Sequence, residues 1–538
     1  MQGDLQSVQE KIKKISISKT IQLSFKLIFL SPSESRQIRN IIEQNNQILK
    51  LDLDLNGCQL GDQKIQILCQ GIEQCLSLKV LQLSLKSNSL SQTGIEHLQN
   101  TLSQLEQLEN IQLNLEDNSI EDKSILCIFS SFTVICNLQK IQISVKQNKI
   151  SSEGLQGVAS QLEKCKQLKN ISLNYGYNNI DERGTQYLIQ RLSSLPNLRA
   201  LQLEFRKSKF SKEIKNIFTI NSGAFLNLEQ LVIDFGLNNL ENQDIFKLCQ
   251  YMEKIANLKY IDLSFYSNNI GEQYLLDLKD KLVQYKKIEE IKLNLRQTQI
   301  TIQSVTQLIS ELQNLNQLKK LSVEISENYN MGQIERIKDF SHQLSKLQNM
   351  EYLNIDLSWN NLGVLGAQYV LEDIKYCQKL NHLVINLSNN GIASIGIWNF
   401  CSQLSSLNKI INLKLVLSNN LIDQKGAKEI TKAIGNMKNL LFIILDLKKN
   451  QVKSMGARDL FYELTNLSYI KSISLNLEDN QITNEEQIIN KPLKDLKKLQ
   501  RLIDISINLK GNQIKRVNQA KLNYFHKIKR MVQINILY

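Results

Sequence analysis

Leu168–Ile180 reads LKNISLNYGYNNI, and its form, L-x-x-I-x-L-x-L-x-x-N-x-I, recurs along almost the whole chain. The Asn position falls at Cys58, Asn88, Asn118, Asn148, Asn178, Ser208, Asn238, Asn268, Thr298, Asn328, Asn360, Asn390, Asn420, Asn450, Asn480 and Asn512. The spacing is 30 residues thirteen times and 32 twice, from 328 to 360 and from 480 to 512. A degenerate earlier copy, Ile21-x-Leu23-x-Phe25, holds Ile28 in the same register. At 538 residues the chain would ordinarily divide into three or four domains. A fixed period of this length points instead to one array of stacked units.

The phases of the unit give its local structure. Apolar residues seven, five and three places before the Asn alternate with period two, as in Leu81, Leu83, Leu85 and again in Ile473, Leu475, Leu477. That is a strand with one buried face. The Asn position takes only Asn, Cys, Ser or Thr, small groups that bond local backbone where the chain turns off the strand. Stacked copies would form a ladder satisfying backbone groups inside the coil. Six places on comes Gly94, Gly154, Gly184, Gly366, Gly396, Gly426 or Gly456, then an amphipathic stripe such as Ile95, Leu98, Leu102, Leu105. Each unit is therefore strand, turn, helix, return. No single unit can bury its own apolar faces, but stacked neighbours can.

This pattern resembles a leucine-rich repeat of the ribonuclease-inhibitor-like type. That family's L-x-x-L-x-L-x-x-N-x-L-x-x-x-G-A-x-x-L is met at Asn360, Leu362, Gly366, Ala367 and at Asn420, Ile422, Gly426, Ala427. The likeness covers roughly residues 20–515, with an extra alternating pair in the strand that accounts for the longer period. It implies an α/β leucine-rich-repeat solenoid, a right-handed βα horseshoe of about 16–17 repeats of 30 residues, with a parallel sheet on the concave face and helices on the convex face. The expected organisation is an N-terminal extension or cap over 1–20, the array over 21–515 and a basic C-terminal cap over 516–538. A fold of this kind hosts many functions, so function must come from particular surfaces.

Composition narrows those functions. The chain carries 65 Lys+Arg and 52 Asp+Glu, a net charge of +13, but residues 491–538 hold twelve Lys/Arg against two acids. The first 490 residues are thus near neutral, and a basic face along the whole length is not supported. Its 3 Pro and 21 Gly exclude collagen and Pro-rich or Gly-rich tethers. The apolar run Leu440–Leu445 is far short of the roughly 18–20 residues that span a bilayer. MQGDLQSVQEKIKK has no apolar core of a secretory leader, and nine Cys include no C-x-x-C, so a cytoplasmic, or else nuclear, location with reduced thiols is expected.

No catalytic constellation emerges. Cys69, Cys249 and Cys401 share one apolar phase and Cys75, Cys165 and Cys377 another, as expected of small hydrophobes packed along helices. Cys58 takes the ladder position. His97, His342, His382 and His526 have no partners at metal-ligand spacing and are expected in solvent. There is no phosphate-binding G-x-x-x-x-G-K-[ST], no G-x-G-x-x-G and no G-x-S-x-G. Gly391 and Gly396 have a P-loop's first spacing, but Ile397 follows where Lys is needed. No cofactor, metal or catalytic residue is expected, and the chain reads as a non-enzyme.

The concave face is the candidate surface. Its positions six and four before the Asn read as polar and mostly uncharged, from Gln82 and Ser84 to Lys292 and Asp356, with an acidic streak that includes Glu204 and Asp234. At its rim stand Tyr177, Tyr266 and Trp359 with Arg206, Lys207 and Arg296, the residue types that anchor interfaces. The expected function is a protein–protein interaction scaffold binding a partner protein there. Because Ran GTPase-activating proteins share the repeat type, the resemblance offers regulation of a small GTPase as an alternative, although those proteins carry an acidic stretch after the array. A second alternative is nucleic-acid or acidic-partner binding through the basic segment Lys491–Arg530. Irregular copies around Ser208 (FRKSKFSKEIKNIF) and after Asn328 (NYNMGQIERIKDF) could mark contacting loops.

Overall fold

The structure is a computed structural model that describes residues 19–210, 225–244, 248, 255–328, 333–483, 499–513 and the backbone of 533–537. The chain forms two compact units, Met1–Asn268 and Asn269–Tyr538. Each is a stack of coils of an α/β solenoid with a repeat of about thirty residues.

In the first unit the strands are β1 (Thr20–Ser24), β2 (Lys50–Asp54), β3 (Val80–Ser84), β4 (Asn110–Asn114), β5 (Lys140–Ser144), β6 (Asn170–Asn174), β7 (Ala200–Glu204), β8 (Gln230–Asp234) and β9 (Tyr260–Ser264). Each pairs in parallel with the next at a register of thirty residues, Leu81 with Ile111 and Leu201 with Leu231. Between the strands run α1 (Pro32–Gln44), α2 (Gly61–Ile72), α3 (Gln92–Gln104), α4 (Asp122–Ser131), α5 (Ser152–Leu162) and α6 (Glu182–Leu192).

The second unit repeats the plan with β10 (Glu290–Asn294), β11 (Lys320–Glu324), β12 (Tyr352–Asp356), β13 (His382–Asn386), β14 (Asn412–Val416), β15 (Phe442–Asp446), β16 (Ser472–Asn476), β17 (Asp504–Asn508) and β18 (Gln533–Leu537). Its helices are α7 (Glu272–Leu282), α8 (Ile302–Leu312), α9 (Ile337–Ser345), α10 (Gly363–Tyr369), α11 (Ala393–Leu404), α12 (Gln424–Asn436) and α13 (Lys453–Leu464). The two longer repeats keep register, so Leu321 still pairs with Leu353 and Ile473 with Ile505.

One coil shows what holds all of them. Leu81, Leu83 and Leu85 turn inward from β3, and Ile95, Leu98, Leu102, Leu105 and Leu108 meet them from α3 and its return, none more than 2% exposed. Burial of each such side chain contributes about 1.5–3 kcal/mol. The helix-start glycines allow neighbouring coils to touch: a Cβ on Gly184 would lie 3.0 Å from the Ser152 Cα.

The Asn positions form the expected ladder within each unit. Asn420 is fully buried. Its Oδ1 accepts from Asn390 N at 3.0 Å, while its Nδ2 donates to Leu387 O at 2.8 Å and Leu417 O at 3.1 Å. Asn88 does the same for Cys58 N and Leu55 O. The substitutes keep only part of this role: Ser208 Oγ reaches Phe205 O at 3.0 Å and Thr298 Oγ1 reaches Leu295 O at 2.8 Å.

The residue just before each ladder position adopts left-handed backbone throughout, with φ between +48° at Lys207 and +71° at Gly511. Only Gly57 and Gly511 are glycines there. Tyr177, Lys207 and Trp359 all occupy this position, which carries their side chains off the sheet edge.

Candidate functional site: the open face and edge of the sheet

In the first unit, six of the candidate residues come together on four successive coils. Glu204 closes β7 and Asp234 closes β8, and the two stand side by side in register on the face not covered by helices. Arg206 follows two residues past Glu204. Its Nε donates to Asp234 Oδ2 at 2.6 Å, with a second guanidinium nitrogen 2.5 Å from the same oxygen. Asp234 is only 5% exposed, and its Oδ1 accepts from Gly236 N at 2.9 Å. Above the same guanidinium lies the Tyr266 ring, its centroid 5.5 Å away.

The row of residues two before the ladder explains this geometry. It runs Gly176, Arg206, Gly236, Tyr266, small and large in alternation. A Cβ on Gly236 would sit 2.1 Å from Tyr266 Cε1, so the ring occupies space that only glycine leaves open. Arg206 is thereby held between a carboxylate and an aromatic face, which fixes a long side chain that would otherwise lose entropy on binding. Beside it, Tyr177 takes Lys146 and Lys207 over its ring at 5.1 and 5.4 Å.

Beneath this edge the core is aromatic. Tyr175, Phe205, Phe235 and Phe265 stack in a column with centroids 6.0, 5.9 and 6.5 Å apart. Phe210 adds edge contacts to Phe205 and Phe235. The equivalent positions in the four preceding coils hold Leu55, Leu85, Leu115 and Val145, with Phe25 in the first coil. A stiff floor therefore coincides with the anchored edge.

Burial pushes the Glu204 carboxyl above its ordinary range, against the Gln202 amide at 2.7 Å and the nearby Arg206, which favour the anion. The folded chain then holds this proton more tightly than the unfolded chain. Stability from this group is greatest below the unfolded carboxylate pKa and falls as pH rises through the folded value. Glu204→Gln is therefore expected to raise the melting temperature at pH 7.5, with the gain vanishing below about pH 4. Thermal melts of both proteins across that window check it.

In the second unit, Arg296 is committed to an ion pair with Glu327, which also accepts from the Gln297 amide. Trp359 stands on the next coil, 47% exposed, with its backbone N–H on Ser388 O at 2.9 Å.

Reading the open face as polar does not survive in β13–β15. Val384, Lys414 and Ile444 are in register there, with Val416 between Asn386 and Asp446 and with Phe442 at the start of β15. Phe442 is 42% and Ile444 44% exposed. Val384, Val416 and Ile444 occupy the same phases as Gln82 and Ser84, beyond Lys292 and Asp356; Phe442 stands two places before Ile444.

Other expectations need correction. Cys75, Cys165 and Cys377 sit in the returns after the helices, not on them. Burial pushes their thiols up to about 11, 11 and 12, so they stay protonated at neutral pH. His97 and His382 are half-buried, the His382 ring standing beside that of Tyr352 with centroids 6.4 Å apart; His342 is exposed, its Nδ1 3.0 Å from Asp373 Oδ2. Among the described residues no group of three His, Cys, Asp or Glu is placed to hold a metal, and no helix is long and apolar enough to cross a membrane. Cys249, His526, Lys212, Lys215 and most of the basic C-terminal segment, with the caps proposed over 1–20 and 516–538 in large part, lie outside the described residues.

No protein-family model matches the chain, and no curated protein matches it significantly. Among solved structures it is similar to an internalin (inlF) from Listeria monocytogenes str. 4b F2365, at 19% identity and a TM-score of 0.33 over 87% of this chain and 94% of that one. It is also similar to TLR13 in a TLR13–ssRNA13 complex, at 16% identity and a TM-score of 0.38 over 91% of this chain and 68% of that one.

Proposed function

We propose that the chain is a non-enzymatic interaction scaffold of the leucine-rich-repeat kind, with the open face and edge of its sheet taking a partner protein. The observation that carries this reading is the Arg206–Asp234–Tyr266 cluster, with Tyr177 and Lys207 beside it. Interface energy concentrates in Tyr, Trp and Arg anchors that are held in place before the partner arrives. Trp359, and the Phe442–Ile444 patch, extend the same type of surface in the second unit. Regulation of a small GTPase and nucleic-acid binding through Lys491–Arg530 are alternative readings; no comparable cluster stands behind them among the described residues.

The left-handed backbone supplies a clean test. At Tyr177 and Trp359 φ is +59°, a conformation natural to glycine, so Tyr177→Gly and Trp359→Gly remove the ring without straining the coil. A partner purified with the wild-type chain from its native source is expected to bind the double variant at least tenfold more weakly, with melting unchanged. Undiminished binding of that partner by the double variant would overturn the reading. GTP-hydrolysis assays with candidate GTPases are expected to show no acceleration.

A further inference from the structure

On the helix side of the second unit, α11 and α12 leave a cleft of about 500 Å³ lined by Ser394, Ile395, Trp398, Lys425, Lys428 and Glu429. The outward face of a solenoid helix is ordinarily polar. Here Ile395 is 69% and Trp398 59% exposed, and at the phase of Ile395 the coil before exposes Leu365 and the second coil after exposes Met455. The thirty-residue period sets Lys425 beside Ile395 and Lys428 beside Trp398, so each apolar side chain has a cation as its neighbour on α12.

Neither cation is tied up in an ion pair, although the Asp423 carboxylate is within electrostatic reach of Lys425. Glu429 is paired with Lys432 at 2.7 Å. The Asp423 carboxylate accepts from Ser394 Oγ at 2.6 Å and from the backbone N–H groups of Lys425 and Gly426 at 2.8 and 3.0 Å. Among the described residues neither Lys425 nor Lys428 has an ion pair. An apolar cleft flanked by two unpaired lysines calls for an occupant with apolar side chains on one face and carboxylates about a turn away. A membrane fits less well. Anionic bilayers recruit clusters of four to eight basic residues, and this cleft is lined by two lysines and a glutamate.

We propose that this cleft docks an acidic amphipathic segment of another protein, an apolar side chain seated between Ile395 and Trp398 and carboxylates on Lys425 and Lys428. Such a segment would lie as a helix in a groove. The site is on the helix side and does not depend on the sheet-edge reading.

The test is selection of a displayed library of random 16-residue peptides on the full chain, subtracted against the Trp398→Ala, Lys425→Glu, Lys428→Glu variant. All three side chains are exposed, so the variant should match the parent in circular dichroism and melting. Enriched peptides are expected to combine Asp or Glu with Leu, Phe or Trp at helical spacing. The best of them, synthesised and labelled, should bind at least tenfold more weakly to the variant, weaken with salt and lose binding when its acids become lysines. Enrichment with no acidic bias, or no peptide that distinguishes parent from variant, would overturn the proposal. So would binding to phosphatidylserine vesicles, or self-association of the chain, that the three substitutions abolish while peptide binding is absent.

Discussion

Asn420→Ala is expected to cost about 3–4 kcal/mol, more than any surface change in this chain. The amide is fully buried and serves two coils at once. Its loss strands the buried N–H groups of Asn390 and Ile392, and it leaves the carbonyls of Leu387 and Leu417 with one amide donor each, from Asn390 and Asn450, in place of two. Each buried polar group left without a partner costs about 1–3 kcal/mol. Asn420→Ser should lose less, because Ser208 shows that a hydroxyl can still hold one carbonyl of its own turn. Asn419→Gly is the matched control. Asn419 is next in sequence, its φ is +54°, and its amide bonds only Asn389 on the surface. It should shift stability by under about 0.5 kcal/mol. Urea unfolding of the three variants decides the matter, and an Asn420→Ala protein within 0.5 kcal/mol of the parent would show that the ladder is not what joins the coils.

The second large effect concerns binding. Gly236→Ala adds one carbon where the Tyr266 ring lies, 2.1 Å from Cε1 and 2.4 Å from Cδ1. The ring is the far part of a side chain and can swing away, so the fold should lose only about 1–2 kcal/mol. Arg206 would keep Asp234 but lose its aromatic cover. If the sheet edge of the first unit is where the partner protein seats, affinity should fall by about 2 kcal/mol, roughly thirtyfold, the loss typical of a central anchor. The substitution introduces no new charge and removes no contacting side chain, so the loss would report the placement of Arg206 and Tyr266 alone. Titration of the purified partner against both proteins measures it, and equal affinities would place the partner elsewhere.

Much of the fold is legible in the chain because the unit repeats. Leu81, Leu83, Leu85 and Ile95, Leu98, Leu102 sit at spacings that only a strand and a helix can satisfy together, and sixteen copies repeat the statement. The ladder was legible for the same reason, down to the substitutes Ser208 and Thr298. The candidate site was legible as a set of residues but not as an arrangement. Tyr177, Glu204, Arg206, Lys207, Asp234 and Tyr266 could be named from their phases. That Arg206 lies between Asp234 and Tyr266 depends on the missing Cβ of Gly236, a property of a neighbour thirty residues from each ring or cation it affects. Arg296 reads as an anchor in the chain, yet Glu327 already holds it. The left-handed turn was hidden because it tolerates Leu237, Tyr177 and Trp359, where residue type alone would ask for Gly or Asn. The apolar patch of β13–β15 is legible at the open-face phases of Val384, Val416 and Ile444, but Phe442, two places before Ile444, lies outside those phases. The helix-side cleft depends on which residues of adjacent coils meet, which period alone does not announce as exposed.

Native-state hydrogen exchange of the whole chain tests the stacked-coil account most directly. The backbone N–H groups of Asn360, Asn390 and Asn420, each bonded to the side chain of the next coil's Asn, should exchange among the slowest in the second unit. Those of Cys58, Asn88 and Asn118 should do the same in the first. Protection would then peak every thirty residues, and Asn420→Ala would lower it most at the coils of Asn390 and Asn420. Fast exchange at these amides, or protection with no thirty-residue period, would contradict it.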